Sequence, residues 1–127
     1  MILGIGTDIL DQSRLCDAFL QPGDPFFQAT YTQEEQVAAE SRADRKQFLA
    51  GRFAAKEAIC KCLGLGQAQK RVLLREISVL SDEDGAPYVR LTGEMQRIAA
   101  ERKISSVLVS LSYDGDLVAA FALAQSN

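Results

Sequence analysis

RKQFLAGRFAAKEAICKCLG, residues 45–64, decides how this chain folds. Placed on a wheel at ~100° per residue, Leu49, Phe53 and Cys60 form one apolar stripe, while Ala54, Ala58, Ile59, Cys62 and Leu63 cover much of the rest. A helix that is apolar nearly all round belongs in the interior. Gly64 and Gly66 supply its stop signals, so the predicted helix spans residues 44–63. Its second half carries only Arg52, Lys56, Glu57 and Lys61 as charges, in two i, i+4 pairs on two sides. The plain reading of Glu57 and Lys61 is a surface ion pair worth roughly a few tenths of a kcal/mol. Yet Glu57 borders the Phe53 and Cys60 stripe, where an ionised carboxylate needs a strong cationic partner.

Working outward, residues 1–9 read as a strand and residues 11–20 as a short amphipathic helix. Residues 21–25 form a loop by their Pro and Gly content. Thr32-Gln33-Glu34-Glu35 is a capping box that starts a helix running toward Arg42. Residues 73–80 and 87–91 are strands joined by turn-forming Asp82-Glu83-Asp84-Gly85. A helix follows over residues 94–103, and Asp114-Gly115-Asp116 joins strands 106–113 and 117–124 into a hairpin. The sum is one α+β domain over residues 1–127, an antiparallel sheet with a long buried helix.

Composition narrows the chemistry. With 47% hydrophobic and 24% charged residues, the chain has the balance of an ordinary globular protein. No apolar run is long enough for a membrane span, and the N-terminus lacks the basic region of a signal peptide, so a cytoplasmic location is expected. Three cysteines without a CxxC argue against a disulfide scaffold or a structural zinc site, and all three are expected as reduced packing residues. The complete lack of histidine removes Ser-His-Asp triads, His bases and His-ligated metals. A net charge of −3 disfavours nucleic-acid binding by bulk charge, so any anion must meet a local Lys and Arg cluster.

The second informative stretch is GIGTDIL, residues 4–10, where a strand-like run carries a carboxylate. Asp8 could cap the following helix, with Thr7 as a second candidate. Alternatively, Asp8 and Glu57 form the ligand pair of a hard cation such as Mg²⁺, which takes one or two carboxylates and completes its shell with water and substrate phosphates. Arg52, Lys56 and Lys61 would then hold those phosphates. Gly4 and Gly6 fit either a bulge or a place where backbone approaches a ligand.

GIGTDIL at 4–10 and AGRFAAKEAICKCLGLG at 50–66 resemble the two signature motifs of the holo-acyl-carrier-protein synthases, the small 4'-phosphopantetheinyl transferases. The likeness continues through TYTQEE at 30–35, the Gly85-Ala86-Pro87 turn and the closing VSLSYDGDLVAAFAL, and so covers essentially the whole chain. The resemblance implies transfer of 4'-phosphopantetheine from coenzyme A to a serine of an apo acyl carrier protein in fatty-acid synthesis, with Mg²⁺ required. It implies Asp8 and Glu57 as Mg²⁺ ligands and, with Lys61, as catalytic residues. Lys61 would contact the coenzyme A phosphates, and Arg52, Lys56, Pro87, Ser112 and Tyr113 would lie at further coenzyme A positions. Arg14 resembles the family's carrier-docking arginine, and Arg42, Arg45 and Lys46 either extend that patch or are solvated helix charges. A homotrimer with active sites shared between neighbours is also implied. The apolar strands 107–111 and 117–124 suit burial at such an interface, and equally a plain core.

Without histidine, the base for the serine is either Glu57 or a water on the cation oriented by Asp8. One departure concerns Tyr113, which stands where the family carries histidine beside a serine. Tyrosine can stack or donate a hydrogen bond but cannot carry positive charge against a 3'-phosphate. Two alternatives stay open: a transferase for polyketide or other secondary-metabolite carriers, and a degenerate coenzyme A-binding module.

Overall fold

The computed structural model describes residues 1–127 apart from the side chain of Val72. Its axis is helix α3 (Arg45–Cys62), opened by Asp44, whose carboxylate accepts the Gln47 amide at 3.0 Å. Gly64, at φ +70°, turns the chain away at its end. As the apolar wheel predicts, Leu49, Ala50, Ala54, Ala55, Ala58 and Ile59 are fully buried.

One face of α3 lies on a three-stranded antiparallel sheet in the order β1 (Ile2–Asp11), β5 (Leu117–Gln125), β4 (Ser106–Asp114). Alternation puts Val118, Ala120, Ala122 and Ala124 of β5 beneath the helix. Gly6 pairs with Ala122 and Asp8 with Ala120, so Gly4, Gly6 and Asp8 share that inward face. The glycines are there because α3 is: a Cβ on Gly6 would collide with the Ala58 carbonyl and come within 2.7 Å of the Cys62 amide nitrogen. A Cβ on Gly4 would strike the Cys62 carbonyl. The close approach is thus helix to strand. The opposite face leaves Ile5, Ile9, Leu108 and Phe121 exposed at 71%, 68%, 54% and 53%, an apolar surface on this single chain.

On the other side of α3, the ribbon of β2 (Ile77–Ser81) and β3 (Pro87–Leu91) closes the main core with Met95 and Ile98 of α5 (Gly93–Glu101). Helices α1 (Pro25–Thr30) and α2 (Gln33–Glu40) cover a second cluster of Leu20, Phe27, Tyr31, Ala39, Phe48 and Leu49.

Three stretches differ from expectation. In place of a helix at 11–20, β1 continues to Asp11 and two 3-10 turns follow, Gln12–Arg14 and Asp17–Leu20, because Gln12 keeps pairing through a 2.8 Å bond to the Asp116 carbonyl. Pro25, read within a loop, opens α1 at its first position behind the Asp24 cap, where its missing N–H costs nothing. Residues 67–76 form α4 (Gln67–Leu73) and a 3-10 turn (Leu74–Glu76), so the strand starts at Ile77 rather than at 73. Buried Leu73 and Leu74 made that stretch look like strand. Cys60 and Cys62 are buried free thiols, as expected, whereas Cys16 is an exposed one.

Candidate active site

β1 and α3 bring Asp8 and Glu57 to one place. Asp8 is an inward-facing strand residue whose side chain is 19% exposed, and Lys61 Nζ donates to its Oδ1 at 3.4 Å and to the Thr7 carbonyl at 2.9 Å. Burial raises the Asp8 pKa above 3.8; Lys61 opposes this, and the nearby Glu57 charge adds to it. The cap role considered for Asp8 belongs to Asp11, whose carboxylate accepts the Ser13 amide at 3.0 Å and hydroxyl at 2.7 Å. Glu57 does not pair with Lys61. Its Oε2 accepts Lys70 Nζ of α4 at 2.7 Å, with both side chains largely buried. Lys70 is the site neighbour that sequence reading missed, because no helical spacing links α4 to α3.

Among the described residues, no group of three or more His, Cys, Asp or Glu converges. The site therefore offers two carboxylates flanked by two lysines. That donor set fits Mg²⁺, which binds through one or two carboxylates and leaves positions for water and phosphate oxygens. It does not fit a soft metal.

The remaining basic positions scatter. Lys56, expected among the phosphate-binding residues, is fully buried: Nζ pairs with Glu35 Oε1 at 2.5 Å and donates to the Thr30 and Leu74 carbonyls at 2.6 and 3.1 Å. Burial lowers its pKa, with Glu35 acting against the shift. Glu35 also closes the capping box with Thr32 and accepts the Val79 amide at 2.8 Å. Lys56 thus ties α3 to α2 and, through Glu35, to β2, with its ammonium bonded inside the protein.

Arg52 lies about 180° around α3 from Lys61 and about 13 Å along it. It is 5% exposed, donates to the Val79 carbonyl at 3.0 Å and Ser81 Oγ at 2.8 Å, and stacks over Phe48 at 4.2 Å. There it lines a cavity of about 700 Å³ with Arg42, Phe48, Ser81, Pro87 and Tyr113. Tyr113 reaches α3 so closely that a Cβ on Gly51 would overlap its hydroxyl. Ser112 is exposed on β4 beside it. Of the other arginines, Arg14 is 85% exposed near Asp11, Arg42 faces the cavity, Arg45 pairs with Glu40 at 3.2 Å, and Lys46 pairs with Asp17 at 2.8 Å.

This α+β frame is that of a transferase family. The chain belongs to the 4'-phosphopantetheinyl transferase superfamily, whose family model matches residues 4–122. It is 37% identical over 127 residues, with all of both chains covered, to the holo-[acyl-carrier-protein] synthase of Halothermothrix orenii. The solved holo-[acyl-carrier-protein] synthase of Neisseria meningitidis matches at TM-score 0.86 and 34% identity, over 99% of this chain and 100% of that one. The Chronobacterium ammoniagenes ACPS–CoA complex matches at TM-score 0.81 and 29% identity, over 98% and 97% of the two chains. No described helix is long and apolar enough to cross a membrane.

Proposed function

We infer that this chain transfers 4'-phosphopantetheine from coenzyme A to a serine hydroxyl of an apo acyl carrier protein. The serine Oγ forms a bond to the phosphorus that carries pantetheine, the bond from that phosphorus to the diphosphate bridging oxygen breaks, and adenosine 3',5'-bisphosphate leaves. The observation that carries the reading is the full-length likeness to holo-[acyl-carrier-protein] synthases.

The residues suit the reaction. Asp8 and Glu57 would hold Mg²⁺, which when bound would supply charge neutralisation on the phosphoryl oxygens and leaving group. Lys61, whose side chain is 58% exposed, is free to turn from Thr7 and Asp8 to those oxygens. The serine proton must go to a base, and Glu57, or a water oriented by Asp8, takes that role. Arg42, Arg52, Pro87 and Tyr113 line a cavity roomy enough for the nucleotide end of the donor. Exposed Arg14 is the docking contact for an acidic carrier.

Arg52 at the basic cavity lies about 180° around α3 from Lys61 and about 13 Å along it, a separation that favours a donor shared between two chains. A homotrimer provides this by setting the cavity of one chain beside Asp8 and Glu57 of the next. The apolar outer face of Ile5, Ile9, Leu108 and Phe121 is the surface for that assembly. The carrier proposed is that of fatty-acid synthesis, a reading the family likeness supports.

The deciding experiment incubates the protein with coenzyme A, Mg²⁺ and apo carrier and follows carrier mass. A phosphopantetheine gain on the fatty-acid carrier is expected. Gain only on a polyketide carrier would move the assignment to secondary metabolism, and no gain on any carrier would leave a coenzyme A-binding module.

A further inference from the structure

Four charged side chains meet where β1, α3 and α4 come together: Asp8 with Lys61, and Glu57 with Lys70. Lys70 differs from Lys61. Its side chain is only 19% exposed, and its one ion pair among the described residues is with Glu57 at 2.7 Å. It also stands close enough to favour the charged form of Asp8. The position is built: Lys70 N–H bonds the Gly66 carbonyl at 3.0 Å, in the first turn of α4, just after the two glycines that end α3.

The charge of the cluster says what Lys70 is for. Two carboxylates and two lysines cancel, so the resting site is neutral. Once the carboxylates hold a divalent cation, the site carries an excess of two positive charges. That excess matches the two negative charges of a diphosphate diester. A cation drawn to Glu57 repels the Lys70 ammonium held on Oε2 at 2.7 Å, and that repulsion loosens the ion pair. A lysine freed from Glu57 has a four-carbon stem and three donors, and the new anion beside it is the donor's diphosphate.

We propose that Lys70 is a second diphosphate-binding lysine, held on Glu57 until that carboxylate takes up the cation. The proposal rests on the reading of Asp8 and Glu57 as the cation pair. Lys70 then has two opposite effects. It weakens binding of the cation alone, by competing for Glu57, and it strengthens binding of the donor in the presence of cation. A lysine that merely braced Glu57 would strengthen the first and leave the second alone.

The test uses Lys70→Met and Lys70→Arg beside the parent, with Glu57→Gln as a control, each first shown to keep the parent's circular dichroism. Mg²⁺ alone, followed by calorimetry, is expected to bind Lys70→Met about fivefold more tightly than the parent. Coenzyme A with saturating Mg²⁺ is expected to bind it about tenfold more weakly, with a matching rise in KM for coenzyme A and none for the carrier. Lys70→Arg keeps the charge and is expected to stay near the parent in both. Unchanged or weaker Mg²⁺ binding by Lys70→Met, or unchanged coenzyme A binding, overturns the proposal. If Glu57→Gln loses Mg²⁺ while Lys70→Met behaves as the parent, only the Lys70 role falls. If Glu57→Gln binds Mg²⁺ as the parent does, the carboxylate-pair reading falls and the Lys70 role with it. Should Lys70→Met misfold, Lys70→Gln carries the same comparison.

Discussion

Asp8, proposed as a cation ligand, sits in the fold at a cost. Burial raises its pKa above 3.8, so the folded chain holds a proton there more tightly than the unfolded chain does. The stabilisation linked to that proton is full below 3.8 and is lost as pH rises through the raised folded value. At neutral pH the ionised carboxylate is therefore a burden that Lys61 offsets only in part. Asp8→Asn is expected to raise the Tm of the cation-free protein at pH 7 and to flatten its pH dependence in the acid range, while abolishing transfer. Thermal melts across pH beside the carrier-mass assay check both halves; a lower Tm at pH 7 would mean that the Lys61 contact outweighs burial. Tyr113 offers a complementary case at the proposed donor cavity. It lies beside Gly51 on the wall of the basic cavity, and a phenol cannot bring positive charge to a 3'-phosphate. Tyr113→His is expected to lower KM for coenzyme A about threefold with kcat unchanged; an equal KM would remove this position from nucleotide binding.

Among the elements, α3 was legible from sequence because its signal is long: many apolar positions, then two glycines. The final hairpin was legible from its Asp-Gly-Asp turn. The elements at 25–30 and 67–76 were not, since Pro25 can equally break or begin a helix, and Leu73 and Leu74 fit a strand as well as a helix end. The site was half visible. Asp8, Glu57 and Lys61 stood out as charges on apolar elements, but the destination of Lys56 depends on Glu35, far off in sequence, for which only a capping role could be read. Because both partners are fully buried, removing one leaves the other's charge stranded. Lys56→Met is expected to destabilise the protein by about 3–5 kcal/mol in urea unfolding. Adding Glu35→Gln should cost about 1–3 kcal/mol less than the two single changes summed. Additive losses would mean that the 2.5 Å pair contributes no coupling of its own.

At the scale of the whole molecule, the placement of groups around α3 supports the proposed assembly. Asp8, Glu57 and Lys61 gather on one side, while Arg42, Arg52 and Tyr113 line the cavity on the other. In the proposed trimer, a head-to-tail contact repeated three times would close a ring and join the two halves at each boundary. The exposed row of Ile5, Ile9, Leu108 and Phe121 is apolar enough to drive closure. Sedimentation is thus expected to give three times the 13.9 kDa chain mass, and Phe121→Lys to reduce both mass and activity. Mixing two defective chains tests the sharing itself. Asp8→Asn removes a cation ligand and leaves the cavity, whereas Arg42→Glu spoils the cavity and leaves the ligands. Each alone should be inactive or nearly so. After subunit exchange at equal amounts, random pairing gives a sound half from each chain at about a quarter of the boundaries, and about that fraction of parent activity should return. If every site were built within one chain, exchange would restore nothing, because no subunit in the mixture would carry both intact halves.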